Sequence, residues 1–100
     1  MALVSVAVCA DLENGKVSMV RIALGGAAPR PIRATAAEAA LYGQPLNDEI
    51  IRQAARVAAQ ADAAPQDDQR ASADYRRHLV AVLTERALAG AAFEKRRGLD

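Results

Sequence analysis

Residues 3–24 read LVSVAVCADLENGKVSMVRIAL, and this stretch decides the fold. Apolar residues alternate with small or polar ones on both sides of Asn14-Gly15, which predicts two β-strands, each with one apolar face. Asn-Gly favours a tight hairpin because both residues tolerate positive φ. We therefore predict an antiparallel hairpin. The apolar face of its second strand carries Val20, Ile22 and Leu24.

The segment after the hairpin predicts a third, short strand. Gly25-Gly26 interrupts the second strand, and Pro29 and Pro31 keep the chain extended because proline disfavours the α conformation in the residue before it. Ile32-Arg33 is therefore expected to form a short strand or edge segment beside the hairpin.

The first predicted helix has clear start and stop signals. Thr35 and Glu38 match a capping box, in which Thr35 accepts a bond from the Glu38 amide and Glu38 reaches back to the Thr35 amide. Gly43 suits the left-handed position just after a helix, and Pro45 cannot continue the turn. We therefore expect a helix over residues 36–42.

Two longer amphipathic stretches predict further helices. One begins at Asn47 or Asp48 and runs to about Asp62, and the other begins after Ser72, a candidate N-cap. The expected core stripe of the first is Ile50, Ile51, Ala54, Val57, Ala58 and Ala61. The expected core stripe of the second is Tyr75, Leu79, Val82, Leu83, Ala87 and Gly90. Residues 1–100 thus predict one α+β domain, a small antiparallel sheet (the hairpin plus a short third strand) packed against three helices.

The composition predicts a light hydrophobic core. Apolar residues make up 52% of the chain, but 25 of them are alanine and only 21 are leucine, valine or isoleucine. Each buried large aliphatic side chain contributes about 1.5–3 kcal/mol, against about 1.5 kcal/mol lost per ordered residue. We therefore expect the chain to be an oligomer or a piece of something larger.

Charge and cysteine content exclude several classes of protein. One cysteine cannot form a disulfide within the chain, and no long apolar stretch free of charge predicts a membrane span. The net charge of +1 does not favour nucleic acid as a partner. A signal peptide has basic residues ahead of its apolar stretch, and the apolar start of this chain has none. We therefore expect a cytoplasmic location.

No set of residues in the sequence predicts catalysis or metal binding. His78 is the only histidine and Cys9 the only cysteine, so no spacing of metal ligands exists. Gly25-Gly26 lacks the pattern of a nucleotide-binding loop and is interpreted as a turn or a close approach of the main chain. A self-sufficient enzyme is therefore not expected.

Arg76 and Arg77 are the charged residues with the most open interpretation. Either guanidinium could pair with Asp74 or with Asp67-Asp68, grip a carboxylate on another subunit, or bind a substrate. Ordinary salt bridging is the interpretation that needs the fewest assumptions. The sequence does not choose between these roles.

Four blocks of sequence together resemble a known family. They read RIALGGAAPRPIRA (21–34), AEAALYGQPL (37–46), DQRASADYRRHL (68–79) and VLTERAL (82–88), preceded by the strand that starts at Val4. In this order and spacing they resemble the C-terminal domain of the FAD-binding (medium) subunit of molybdenum hydroxylases, the carbon monoxide dehydrogenase flavoprotein and xanthine dehydrogenase family. The resemblance extends from about Leu3 to Ala89.

The resemblance implies a role beside FAD rather than catalysis by this chain alone. In the family, an N-terminal domain holds FAD, and the C-terminal domain closes over the flavin ring and touches the iron–sulfur and molybdenum subunits. The N-terminal FAD domain is absent from this sequence, so we do not expect the chain to bind FAD by itself. Ile22 matches an apolar residue near the edge of the flavin ring. Ala40 falls where some relatives have a lysine, so that charged contact is lost here.

Two functions follow as hypotheses. In the first, the chain helps to seat FAD and docks the iron–sulfur and molybdenum subunits for electron transfer to FAD, as part of an oxidoreductase complex. In the alternative, it is a standalone dimerisation or interaction module without redox activity. The surface expected to associate with a partner is the strand face with Val20, Ile22 and Leu24, or the edge beside it.

Overall fold

The computed structural model describes residues 3–96, and of Arg96 it describes the main chain alone. The predicted hairpin forms two of the three strands of the sheet. Strand β1 (Ser5–Glu13) pairs in antiparallel register with β2 (Lys16–Gly25). Asn14 and Gly15 have φ of 55° and 77°, which confirms the Asn-Gly turn. Strand β3 (Ile32–Arg33) joins the other side of β2, so the strand order is β1-β2-β3.

Three helices follow the sheet and confirm the α+β prediction. They are α1 (Thr35–Leu41), α2 (Asp48–Val57), which continues into a π-helical turn (Ala58–Asp62), and α3 (Ala73–Arg96). The predicted N-cap of α3 is present, and α2 is capped by Asn47, one of the two residues at which it was expected to begin. The Asn47 side chain accepts a bond from the Ile50 amide at 2.9 Å, and the Ser72 hydroxyl accepts one from the Tyr75 amide at 3.0 Å.

The prediction of a capping box at α1 is wrong. Ala34 is the N-cap residue and offers no side-chain bond, and α1 begins one residue earlier than expected, at Thr35. The carboxylate of Asp62 caps the helix instead, accepting bonds from the amides of Ala36 and Ala37 at 2.9 Å each. Glu38 is drawn away from the helix end because its carboxylate binds the sheet.

The core lies between the inner face of the sheet and the helices. Ile22 and Leu24 have exposed fractions of 0% and 1%, and Val20 is also buried. The prediction that this face is an exposed surface for association is therefore wrong, because the helices of the same chain cover it. The alternative, the edge beside it, stays a prediction. The opposite, outer face of the sheet has no helix on it within residues 3–96.

The buried side of α3 differs from the predicted stripe. The residues that face the core recur every four positions and are Arg76, Val80, Thr84, Leu88 and Ala92. Tyr75 is half exposed and Gly90 is exposed. The predicted stripe therefore lies to one side of the face of α3 that contacts the core. Two of the five core-facing residues are polar, and this polarity hid the buried face from the hydrophobic pattern.

The end of α2 also departs from its predicted stripe. Ala61 is exposed, whereas Ala59 and Ala63 are buried. In a π turn the hydrogen bonds join residues five positions apart instead of four. The side chains that follow are therefore rotated relative to their positions in a regular α-helix. The bond from the Ala63 amide to the Ala58 carbonyl (2.9 Å) is one of this kind.

Candidate functional site

The outer face of the sheet carries a shallow concavity of about 290 Å³. Its floor is made of small side chains, since Ala7 lies directly opposite Ala23 across β1 and β2. Arg21 lies opposite Cys9 on one side, and Arg33 lies beside Ala23 on the other. The site therefore combines a flat apolar floor with two guanidinium groups at its borders.

Glu38 holds Arg33 in place at this site. The Glu38 carboxylate accepts bonds from Arg33 Nη2 at 2.5 Å and from Arg33 Nε at 3.2 Å. The same carboxylate accepts a bond from the main-chain amide of Ile22 at 2.8 Å. The carboxylate is thus an acceptor for β2 just beyond the short β3, where the sheet would otherwise leave an amide unpaired.

The electrostatics of Glu38 follow from these contacts. Burial works to raise the pKa of Glu38, but the Arg33 side chain, the Ile22 amide and the charges of Arg33 and Arg21 outweigh burial and hold the pKa below its ordinary value of 4.5. Glu38 is therefore ionised at neutral pH. Together Arg21, Arg33 and the ionised Glu38 have a net charge of +1 beside the concavity.

Ile22, the residue predicted at the edge of the flavin ring, is in the core. Its side chain points to the inner face and is fully buried, and only its main chain borders the outer concavity. Any contact with a ring on the outer face is therefore limited to main-chain atoms, and the contact itself stays a prediction. Ala40 lies exposed on α1.

Arg76 is a structural residue of the fold. Its side chain is 6% exposed, and its guanidinium donates to the carbonyls of Leu3 (2.9 Å) and Gly26 (3.3 Å) and to the Asp68 carboxylate (2.7 Å). Of the roles that the sequence left open for Arg76, the structure shows the ion pair with the Asp67-Asp68 loop. Amides of Arg70 and Ala71 also donate to Asp68 and lower its pKa.

Gly26 allows this clamp to form. Its φ is 75°, and a Cβ at this position would overlap the carbonyl oxygen of Leu3. A Cβ at Gly25 would lie 2.5 Å from the Ser5 hydroxyl. The two glycines therefore serve a close approach of main-chain segments, as the sequence predicted.

Arg77 has a different structural task. Its Nη1 donates to the carbonyls of Ala59 and Ala63, which belong to the π turn and the residue after it. A cation at the end of a helix satisfies carbonyls that have no helical partner. Arg76 and Arg77 are thus both engaged by their own chain.

The remaining candidates form no chemical site in the described part of the chain. His78 is exposed in a groove between α2 and α3, and Cys9 is exposed on the outer sheet face. Across residues 3–96, no three histidine, cysteine or acidic side chains come together as metal ligands. No helix in that range has the length and apolar character needed to cross a membrane.

Comparison with known proteins identifies the family. The sequence model of the CO dehydrogenase flavoprotein C-terminal domain matches residues 1–91. The chain belongs to this family. The medium chain of glyceraldehyde dehydrogenase from Sulfolobus acidocaldarius is 37% identical over an alignment of 87 positions, which covers 86% of this chain and 30% of the relative. A putative FAD-binding subunit of xanthine dehydrogenase from Escherichia coli K12 is 38% identical over 80% of this chain and 27% of its own length.

Solved structures agree with this family assignment. The chain superposes on a carbon monoxide dehydrogenase from Hydrogenophaga pseudoflava with a TM-score of 0.81 and 39% identity, over 88% of this chain and 30% of that one. A quinoline 2-oxidoreductase from Pseudomonas putida 86 gives a TM-score of 0.83 at 31% identity, over 91% and 32% of the two chains. The chain spans about a third of the length of these relatives. This CO dehydrogenase flavoprotein C-terminal domain is thus related to one domain of an FAD-binding subunit.

Sequence reasoning missed the arginine pair of the outer face. The sequence predicts Arg33 only as part of the short third strand and Arg21 only as part of the second strand of the hairpin. The alternation of β2 does place Arg21 beside Ala23 on the face opposite Ile22, so the pattern carried part of the signal. The link from Glu38 to Arg33 could have been suspected from their five-residue spacing across the start of a helix.

Proposed function

We propose that the domain closes over one side of the FAD ring in a molybdenum hydroxylase flavoprotein, while an FAD-binding domain holds the rest of the cofactor. In the same proposal, it docks the iron–sulfur and molybdenum subunits that pass electrons to FAD. The observation that supports the proposal is the outer face of the sheet, with its alanine floor and its two arginines.

The outer face fits a flat ring better than it fits the phosphates of a nucleotide. Ala7 and Ala23 leave room for a planar group to lie close to the main chain of the sheet. Bound FAD would supply the redox chemistry, and the charges of Arg21 and Arg33 would tune its electronics. Gly25-Gly26 is occupied by contacts with Ser5 and Leu3, so it does not offer a phosphate loop. The pyrophosphate therefore requires another domain.

The charge balance of the face is consistent with this role. Glu38 uses two nitrogens of Arg33 and so fixes the direction of its guanidinium. A pre-oriented arginine loses less conformational freedom on binding than a free one. The Glu38–Arg33 pair would therefore present guanidinium N–H groups in a fixed direction to the oxygen and nitrogen acceptors of the flavin ring.

A reconstitution experiment tests the proposal. The full chain is mixed with the FAD-binding domain of a related medium subunit that lacks its own C-terminal domain, and binding is followed by flavin fluorescence and calorimetry. We expect a yellow complex whose flavin fluorescence changes when the chain is added. Ala23→Phe, which fills the floor of the concavity, should weaken binding by about tenfold or more.

A matched variant separates the outer face from general effects. Ala89 is an exposed alanine on α3, so Ala89→Phe should leave binding unchanged. Equal loss of binding in both variants, or no association of the wild-type chain with the FAD domain, contradicts the proposal.

A further inference from the structure

The outer edge of β1 has main-chain groups that point away from the sheet. Ile22 uses its amide and carbonyl toward β3, since it donates to Glu38 and accepts from the Ala34 amide. Val8 lies directly opposite Ile22. When one residue of a directly opposed antiparallel pair turns its amide and carbonyl away from its partner, the partner does the same. The amide and carbonyl of Val8 therefore point away from β2, toward the outer edge. The same holds for Val6, two residues earlier.

No strand covers this edge within residues 3–96. Exposed edges are usually protected by lysine or proline, because their unpaired groups are templates for another strand. β1 has neither residue. Lys95 of α3 lies near the C-terminal end of β1, where it bonds to Asp11 at 3.4 Å. It does not cover the edge at Val6 and Val8.

An apolar band lies directly beneath the open edge. On β1 it consists of the half-buried side chains Val6, Val8 and Leu12. On α3 it consists of a ridge of half-buried residues spaced by four: Leu79, Leu83, Ala87 and Ala91. Ala91 shares a groove of about 320 Å³ with Val8, which places the ridge on the β1 side of the helix.

We propose that two copies of the chain associate by antiparallel pairing of their β1 strands, with the two-fold axis at Ala7. This register pairs Val6 of each copy with Val8 of the other and leaves the Lys95–Asp11 bond intact. The two sheets become one, and the α3 ridges of both copies meet on the same side of it, so the apolar bands cover each other. The edge requires an extended partner strand.

The charges of β1 favour a second copy as that strand. The two acidic residues of β1, Asp11 and Glu13, lie at one end of it. In the proposed register Asp11 lies opposite Leu3 of the other copy, so no like charges face each other. The pairing also adds buried apolar surface to a chain whose own core is light. The pairing depends on the main-chain groups of the β1 edge, and Ala7 at its two-fold axis also lies in the floor of the outer concavity.

Sedimentation of the full chain with two variants tests the interface. We expect a reversible dimer. Ala87→Lys places a charge in the ridge of each copy and should raise the dimer dissociation constant by about tenfold or more. Ala89→Lys, the same change two residues away on an exposed side, should leave it within about twofold. A monomer at every concentration overturns the proposal. An equal effect of both variants also overturns it.

Crosslinking tests the register itself. In a Cys9→Ala background, Ala7→Cys should form an intermolecular disulfide readily, because paired Cα atoms at such a position are about 4.5 Å apart. Ala23→Cys lies on the same face but one strand inward, about 14 Å from its mate, and should not crosslink. Preferential crosslinking through Ala23→Cys overturns the proposed pairing even if the chain is dimeric.

Discussion

The carboxylate of Glu38 accepts a hydrogen bond from the main-chain amide of Ile22, 16 residues earlier, at 2.8 Å. A side chain on the first turn of α1 thus completes the bonding of the central strand where β3 ends. The same carboxylate orients Arg33 on the outer face of the sheet. One residue therefore joins the helical layer, the sheet and the candidate site.

Replacing Glu38 should destabilise the domain. Glu38→Gln keeps an acceptor for the Ile22 amide but loses the charge that binds Arg33, and we expect a cost of about 1–3 kcal/mol in the free energy of unfolding. Urea unfolding followed by circular dichroism measures it. Glu85→Gln, at an exposed position of α3, should change stability by less than about 0.5 kcal/mol. Equal stability of the two variants would count against the role of Glu38.

The stability of the domain should fall in acid through Glu38. Its pKa is lowered in the folded state, so folding favours the ionised form. The resulting stabilisation is fully present above the ordinary pKa of 4.5 and is lost as the pH falls through the lower, folded value. Unfolding curves at a series of pH values should show the wild type and Glu38→Gln converging in this range. A constant difference down to the lowest pH at which the chain folds would refute the assignment.

Gly26 and Gly43 should respond differently to the same substitution. Both have positive φ, of 75° and 78°. A methyl group at Gly43 meets nothing within 4 Å, so Gly43→Ala should cost only about 1 kcal/mol for the left-handed conformation. At Gly26 the methyl group overlaps the Leu3 carbonyl, so Gly26→Ala should cost about 3 kcal/mol or more. Thermal unfolding of both variants compares them directly, and similar melting temperatures would contradict the close approach.

Asp62 should be the main cap of α1. Asp62→Ala removes the acceptor for the amides of Ala36 and Ala37, and we expect a loss of about 1–2 kcal/mol. Hydrogen exchange should also become faster at these two amides. Gln60→Ala, in the same π turn but exposed, is the control and should leave exchange in α1 unchanged. Unaltered protection of α1 in Asp62→Ala would show that the cap is dispensable.

Removing the Arg76 clamp should loosen three segments at once. Arg76→Lys cannot reach the Leu3 and Gly26 carbonyls and Asp68 together, because an ammonium lacks the planar fork of a guanidinium. We expect a loss of about 2–4 kcal/mol, since a buried charged network is broken. Arg86→Lys, exposed on the same helix, should be neutral. A neutral Arg76→Lys would mean that the clamp adds little to folding.

Local patterns were enough for the elements of this fold. The alternation around Asn14-Gly15 predicted the hairpin, because a side-chain period of two and a turn that accepts positive φ act over a few residues. Asn47 and Ser72 marked the starts of α2 and α3 for the same reason, since an N-cap bonds to amides two or three residues away. The four blocks of sequence between Arg21 and Leu88 showed the resemblance to the family.

The contacts that build the candidate site depend on tertiary structure. Thr35 and Glu38 fit a capping box locally, yet Glu38 binds Ile22 and Arg33, and Asp62 caps the helix from another element. α3 turns its Arg76 ridge inward because the guanidinium finds Leu3, Gly26 and Asp68 there. A buried charge is tolerated only where distant groups satisfy it, and the spacing of residues in a sequence does not record which distant groups meet.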